Sequence, residues 1–180
     1  MAIIENAAPV VGKPAPWFSL PDTDGTLNEL GSSPATVVVF TCNHCPYALG
    51  WHERLTAVAS DYAERGVQML AINSNDATRY PGDSLVAMRD RVQGGDFPGV
   101  PYLLDESQDV AREYDAKTTP DVFVIDERGV IRYRGAPDAD VDDPTQNAVW
   151  LRAALDEVLA GADPDPAETP PVGCTIKWRE

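Results

Sequence analysis

Positive charge is scarce in this 180-residue chain: 14 Lys and Arg stand against 29 Asp and Glu, a net charge of −15, and only three of the cations are lysines. A field of that sign repels phosphate backbones and anionic lipid, and no basic stripe compensates for it. Nucleic acid and membrane surfaces are therefore poor partners. The acid surplus reads as a solvated surface and identifies no substrate. Long apolar runs are missing too, none approaching the ~20 residues a membrane helix needs. The opening MAIIENAAPVV has no basic segment ahead of its apolar residues, so no secretory leader is expected and the expected location is cytoplasmic. No phosphate-cradling glycine motif and no serine nucleophile elbow occur, which leaves nucleotide and hydrolase chemistry without support. No cofactor is expected. What remains, 43% hydrophobic and 8% aromatic residues, is enough for one globular domain with a core.

Cysteine is also scarce, and its placement is informative. Cys42, Cys45 and Cys174 are the three; an odd number cannot form a fully paired framework without an intermolecular bond. Two of them make a C-x-x-C pair, a pattern that in a chain expected to be cytosolic points to redox or metal chemistry. A metal-binding module would use Cys42, Cys45 and His44 or Cys174. Structural zinc normally needs four ligands at regular spacing, and no second C-x-x-C supplies them, so no metal is expected. His52, the other histidine, reads as a flank residue beside the core.

Hydrophobic patterning places these residues. Trp17–Leu20 and the turn at Asp24-Gly25 predict a short N-terminal hairpin. Thr36–Thr41 is β-prone without alternation, as in a strand buried on both faces. Cys45, Ala48, Trp51, Leu55, Val58 and Tyr62 then form a helical stripe ending near Gly66, with Pro46 tolerated in the first turn. Val67–Ile72 predicts the next strand. Asn75, Asp76, Tyr80 and Asp83 follow it and either border a cleft or lie in a solvated loop, with Asp83 able to cap a helix to about Val92. A short strand at 101–104, a short helix at 107–114, a hairpin of 121–125 with 130–134 and a helix from Leu151 to Leu159 complete the series. Trp17, Trp51, Trp150 and Trp178 read as core or tail anchors. This order fits one α/β sandwich with a mixed sheet, the cysteines lying beyond the carboxyl end of a parallel strand, where functional groups gather.

A thiol is a weak nucleophile until it ionises, and free N–H groups at a helix start favour the thiolate. The spacing allows Cys42 to attack a disulfide and Cys45 to resolve the mixed disulfide, with the Cys42 pKa expected to be lowered. His44, between them, is positioned to tune the pair or merely fills an exposed slot. Thr118-Thr119-Pro120-Asp121 precedes an apolar strand. A proline there is compatible with a cis bond, although an ordinary trans turn fits the dipeptide alone. In this element order the loop faces the cysteines, and the Thr119 backbone is placed to pair with an extended substrate. Cys174 is either inert packing or a third thiol on a tail that docks near the pair.

Together, Gly12–Leu20 with Asp22 and Gly25, the Cys42–Cys45 segment and Thr119-Pro120 resemble the redoxin branch of the thioredoxin-like proteins, the alkyl hydroperoxide reductase and thiol-specific antioxidant group. More narrowly, Phe40–Tyr47 and the ending Gly173-Cys174-Thr175-Ile176-Lys177-Trp178 resemble a poorly characterised bacterial and archaeal redoxin subgroup. The resemblance implies a thioredoxin fold with a central mixed sheet flanked by helices over residues 1–161, carrying an N-terminal hairpin. The Pro-rich tail, 162–180, docks on the same domain. It implies Cys42 as attacking thiol, Cys45 as resolving thiol and Pro120 in cis. The implied activity is thiol–disulfide exchange with protein or small-molecule substrates and a thiol reductant or oxidant partner. A thiol-dependent peroxidase is the alternative. Three departures stand out. Thr41 replaces the Trp that usually precedes the first cysteine of thioredoxin. The strand from Thr36 to Phe40 carries no acid to shuttle a proton. Val39, three residues before Cys42, is not the Thr or Ser of the peroxiredoxin pattern.

Overall fold

The computed structural model describes residues 10–180, so the first nine residues of the opening segment, and the leader argument drawn from them, lie outside the described residues. A five-stranded sheet forms the centre, in the order β5-β4-β3-β7-β8. Strands β3 (Ala35–Phe40), β4 (Val67–Asn73) and β5 (Tyr102–Leu104) are parallel, while β7 (Asp121–Asp126) and β8 (Ile131–Gly135) run antiparallel to their neighbours. At the centre Val38 is in register with Leu70 on one side and Phe123 on the other.

The missing alternation in β3 follows from its position, because all six of its residues are buried. Side chains alternate across a strand, so β3, β4 and β7 feed two cores. Val37, Val39, Met69, Ala71, Val122 and Val124 meet α1 (Pro46–Tyr62) and α4 (Val149–Leu159) on one face. Val38, Phe40, Leu70, Ile72, Phe123 and Ile125 meet α3 (Asp109–Glu113), Tyr114 and Phe18 on the other. This is the expected thioredoxin fold, with the N-terminal hairpin formed by β1 (Ser19–Pro21) and β2 (Leu27–Glu29). Among the described residues no helix is long and apolar enough to cross a membrane.

Two local expectations change. The helix α2 (Leu85–Gln93) is capped by Ser84, whose hydroxyl accepts from the Ala87 N–H, while Asp83 turns inward and is buried. Of the four tryptophans Trp51 is fully buried, but Trp17 is 62% exposed and anchors nothing. The tail crosses β8, exchanging main-chain hydrogen bonds at Arg134 with Ala167 and Thr169. It then adds β9 (Cys174–Thr175) antiparallel to β6 (Thr118–Thr119) and sinks Ile176 into the second core.

Candidate active site

The chain leaves β3 at Phe40 and enters α1 at Pro46, so the C-x-x-C segment is the connection itself. Cys45 is the N-cap residue of α1, with extended backbone and no side-chain capping bond; Pro46 occupies the first turn, where a missing N–H has no consequence. Cys42 and Cys45 are 1% and 0% exposed and pack with Ala48, and the half-buried Cys174 lies against them. Thr119 meets both sulfurs of the pair. Its hydroxyl oxygen is 3.4 Å from Cys42 Sγ, and its carbonyl accepts from Cys45 Sγ at 3.2 Å. The Thr119–Pro120 bond is cis. All six residues singled out from the sequence, Cys42, His44, Cys45, Thr119, Pro120 and Cys174, therefore converge on one end of the sheet.

Three details differ from the sequence reading. First, the lowered thiol is Cys45. Its pKa is drawn down to about 4, chiefly by hydrogen bonding from Cys42 against the opposing effect of burial, with help from Cys174, the Ala48 N–H and Thr119. Cys42 is pushed far up by that same bond, by burial and by the negative charge of Asp83. The protons of such a coupled pair belong to both sulfurs jointly, the first ionisation being easier than the second. The helix starts one residue after Cys45, so its free N–H groups serve that sulfur rather than Cys42. Second, the His44 ring is engaged by groups other than the sulfurs. Its Nδ1 lies 2.6 Å from Asp83 Oδ2 and its plane stacks on Tyr80, while the main-chain N–H is what stabilises the Cys42 thiolate. Third, the Thr119 backbone is not free for a substrate, because Cys174 is its register partner.

Asp83, a helix-cap and cleft candidate in the sequence, is a further side chain of the site. Its carboxylate is fully buried and accepts four hydrogen bonds: Asn43 N–H at 2.6 Å and Asn73 Nδ2 at 3.2 Å on Oδ1, Asn75 Nδ2 at 3.0 Å and His44 on Oδ2. Asn43 is held in turn by Tyr102, whose hydroxyl donates to its Oδ1 at 2.7 Å, and by Arg91 at 3.1 Å. Asn75 and Asp76 are likewise buried, so this loop is part of the site wall rather than a solvated excursion. The buried acid that β3 lacks is thus supplied by the turn before α2. Its position after the second parallel strand was the available signal. Cys42, His44 and Asp83 also place ligand-type atoms within 4.8 Å of one another. Both Asp83 oxygens are already saturated, which makes the group a hydrogen-bonded dyad facing a thiol rather than an open metal cradle.

Comparison with known proteins agrees with this construction. The family model described as AhpC/TSA family matches residues 11–134. The thiol:disulfide interchange protein DsbE of Allochromatium vinosum is 31% identical over 143 residues, 74% of this chain and 72% of that protein. A solved structure of an uncharacterised conserved protein from Geobacillus kaustophilus is 40% identical with a TM-score of 0.87, covering 97% of this chain and 94% of its own. A protein from Sinorhizobium meliloti 1021 is 38% identical with a TM-score of 0.88, covering 96% and 97%.

Proposed function

The chain belongs to the AhpC/TSA family, and from that premise we propose that it is a thiol–disulfide oxidoreductase in which Cys42 and Cys45 cycle between dithiol and disulfide. The observation that carries the reading is the placement of two buried sulfurs, packed together and held against Thr119, at the start of α1. Cys42 attacks a substrate disulfide as its proton passes to Cys45. One substrate sulfur becomes bonded to Cys42 and the other leaves as thiolate, taking a proton from solvent through the half-exposed His44 ring that Asp83 orients. Cys45 then gives up the pair's proton to the second departing thiol as it attacks Cys42 Sγ. Two electrons have moved, the substrate disulfide is reduced and the Cys42–Cys45 disulfide has formed.

The test is reduction of a protein disulfide such as that of insulin, with dithiothreitol as electron source. Replacing Cys42 by Ser should lower the rate by about a hundredfold or more. Cys45→Ser should stall as a mixed disulfide through Cys42, detected by mass spectrometry. Full activity in both variants would sink the reading. Rapid consumption of hydrogen peroxide with little insulin reduction would favour the peroxidase alternative instead. The absence of Thr or Ser at position 39 argues against that outcome.

A further inference from the structure

The tail brings a third sulfur to the pair, and its arrangement there is specific. Thr119 and Cys174 are paired across β6 and β9, and the Ile176 N–H donates to the Lys117 carbonyl at 3.2 Å. Gly173 approaches so closely that a Cβ placed on it would lie 2.3 Å from the Thr119 carbonyl oxygen. Beyond Cys174 the tail is fastened at several points. Lys177 exchanges hydrogen bonds with the Asn75 side chain and the Asp76 N–H, and Gln108 takes both the Lys177 carbonyl and the Arg179 N–H. Arg112 covers the Trp178 ring at 5.1 Å. Ile176 is 2% exposed within the core. Such a segment is a fixed wall of the site, and it holds the least buried of the three thiols against the two that are closed off.

We propose that Cys174 is the third thiol of a relay, forming a disulfide with Cys45 and acting as the point where an external dithiol reductant exchanges with the buried pair. The inference rests on the oxidoreductase reading given above. Starting from the Cys42–Cys45 disulfide, Cys174 loses its proton to solvent and attacks Cys45 Sγ. Cys42 leaves as thiolate and is protonated, and a Cys45–Cys174 disulfide remains. One thiolate of the external dithiol then attacks Cys174 Sγ and expels Cys45. The reductant's second thiolate attacks its own mixed disulfide, leaving as an oxidised dithiol and releasing Cys174. The net change is two electrons from the dithiol to the cysteine pair. Order of attack follows from position: Cys45 is the sulfur that interacts with both Cys42 and Cys174 in the packed cluster. Leaving-group quality agrees, because the sulfur expelled toward the outside step is the one whose thiolate is most stable. In the reduced protein the Cys174 thiol is held up at about 11, by burial and then by Cys45. Once Cys45 is tied into a disulfide its charge is gone, and that restraint on Cys174 is lifted when the relay needs it.

The experiment uses the full chain. Cys42→Ser protein, with Cys42→Ala as a second variant if the first folds poorly by circular dichroism, is oxidised with diamide and mapped without reduction. A peptide pair linked through Cys45 and Cys174, with no titratable thiol left after denaturation, is expected. Two free thiols, under oxidation that closes the Cys42–Cys45 bond in the native sequence, would overturn the relay while leaving the oxidoreductase reading intact. In parallel, re-reduction of the oxidised pair by dithiothreitol should slow about tenfold in Cys174→Ser; an equal rate would overturn the relay as well. If the native chain itself forms no Cys42–Cys45 disulfide and reduces no insulin, both readings fail together.

Discussion

Asp83 acts on the cysteine pair from outside the C-x-x-C segment, and its effect is both electrostatic and structural. Its charge helps to hold the Cys42 proton, and its oxygens collect four donors, two of them on the buried Asn73 and Asn75 side chains. Replacing it by Asn removes the charge and turns one acceptor atom into a donor facing donors. The sign of the electrostatic effect is fixed: with a repelling negative charge gone, Cys42 ionises more easily. The pH profile of Cys42 alkylation by iodoacetamide, followed by peptide mass, should therefore move to lower pH in Asp83→Asn. The unpaired donors should cost about 1–3 kcal/mol of stability, read from urea unfolding. A pH profile superimposable on that of the native chain would refute the electrostatic role. This residue also marks where sequence reading stopped. An Asp before an amphipathic run is a good helix cap in the abstract. Ser84, one residue later, took the cap and released Asp83 to the interior. Only the competition among Asn43, Asn73, Asn75 and His44 for its oxygens explains that outcome, and those partners are up to 40 residues away.

At the scale of elements, the close seat of β9 on β6 is the feature most sensitive to a small change. Gly173 has main-chain atoms of Thr119 at 2.3 and 2.8 Å from any added Cβ, and a main chain cannot step aside as a flexible side chain does. Gly173→Ala should therefore lift β9 from Thr119 and cost about 1–3 kcal/mol. It should also raise the alkylation rate of Cys45 by iodoacetamide, measured by peptide mass. Unaltered alkylation with unaltered stability would show that the tail does not seal the pair. The strands and helices around this contact were largely legible in advance. Thr36–Phe40 advertised burial on both faces by lacking alternation, and the Cys45-to-Tyr62 stripe gave α1 nearly to its ends. β9 was not legible. It has two residues, no periodicity, and a partner 55 residues earlier in the chain. Its place depends on Ile176 finding a gap in the second core and on a glycine permitting close approach, neither of which a local pattern encodes. The direction of the thiol shifts was missed for a related reason: one residue in the start of α1 decides which sulfur its N–H groups serve.

The whole molecule joins a strongly acidic exterior to a few buried charge pairs, and the two should respond differently to salt. Asp138 is fully buried and accepts from Trp51 Nε1 at 2.8 Å, from Arg54 Nη1 at 2.9 Å and from the Ala148 N–H at 2.9 Å. Arg54 also donates to the carbonyls of Asp140 and Val141. The helix that follows the cysteines is thereby tied to the segment that opens α4. Removing one partner leaves a buried charge uncompensated, so Arg54→Met should cost about 3–5 kcal/mol. The surface behaves otherwise. With a net charge of −15, exposed carboxylates repel one another across the folded state, and added salt screens that repulsion, the Debye length falling from ~30 Å at 0.01 M to ~3 Å at 1 M. Stability of the native chain should therefore rise as sodium chloride is increased over that range. Burial shields the Arg54–Asp138 contact from the same ions, so the native and Arg54→Met unfolding free energies should climb in parallel. A gap that closed with salt would place the pair's contribution at the surface, in conflict with the burial of both side chains. A native stability that fell with salt would mean that the ion pairs on the exterior outweigh the repulsion implied by the net charge.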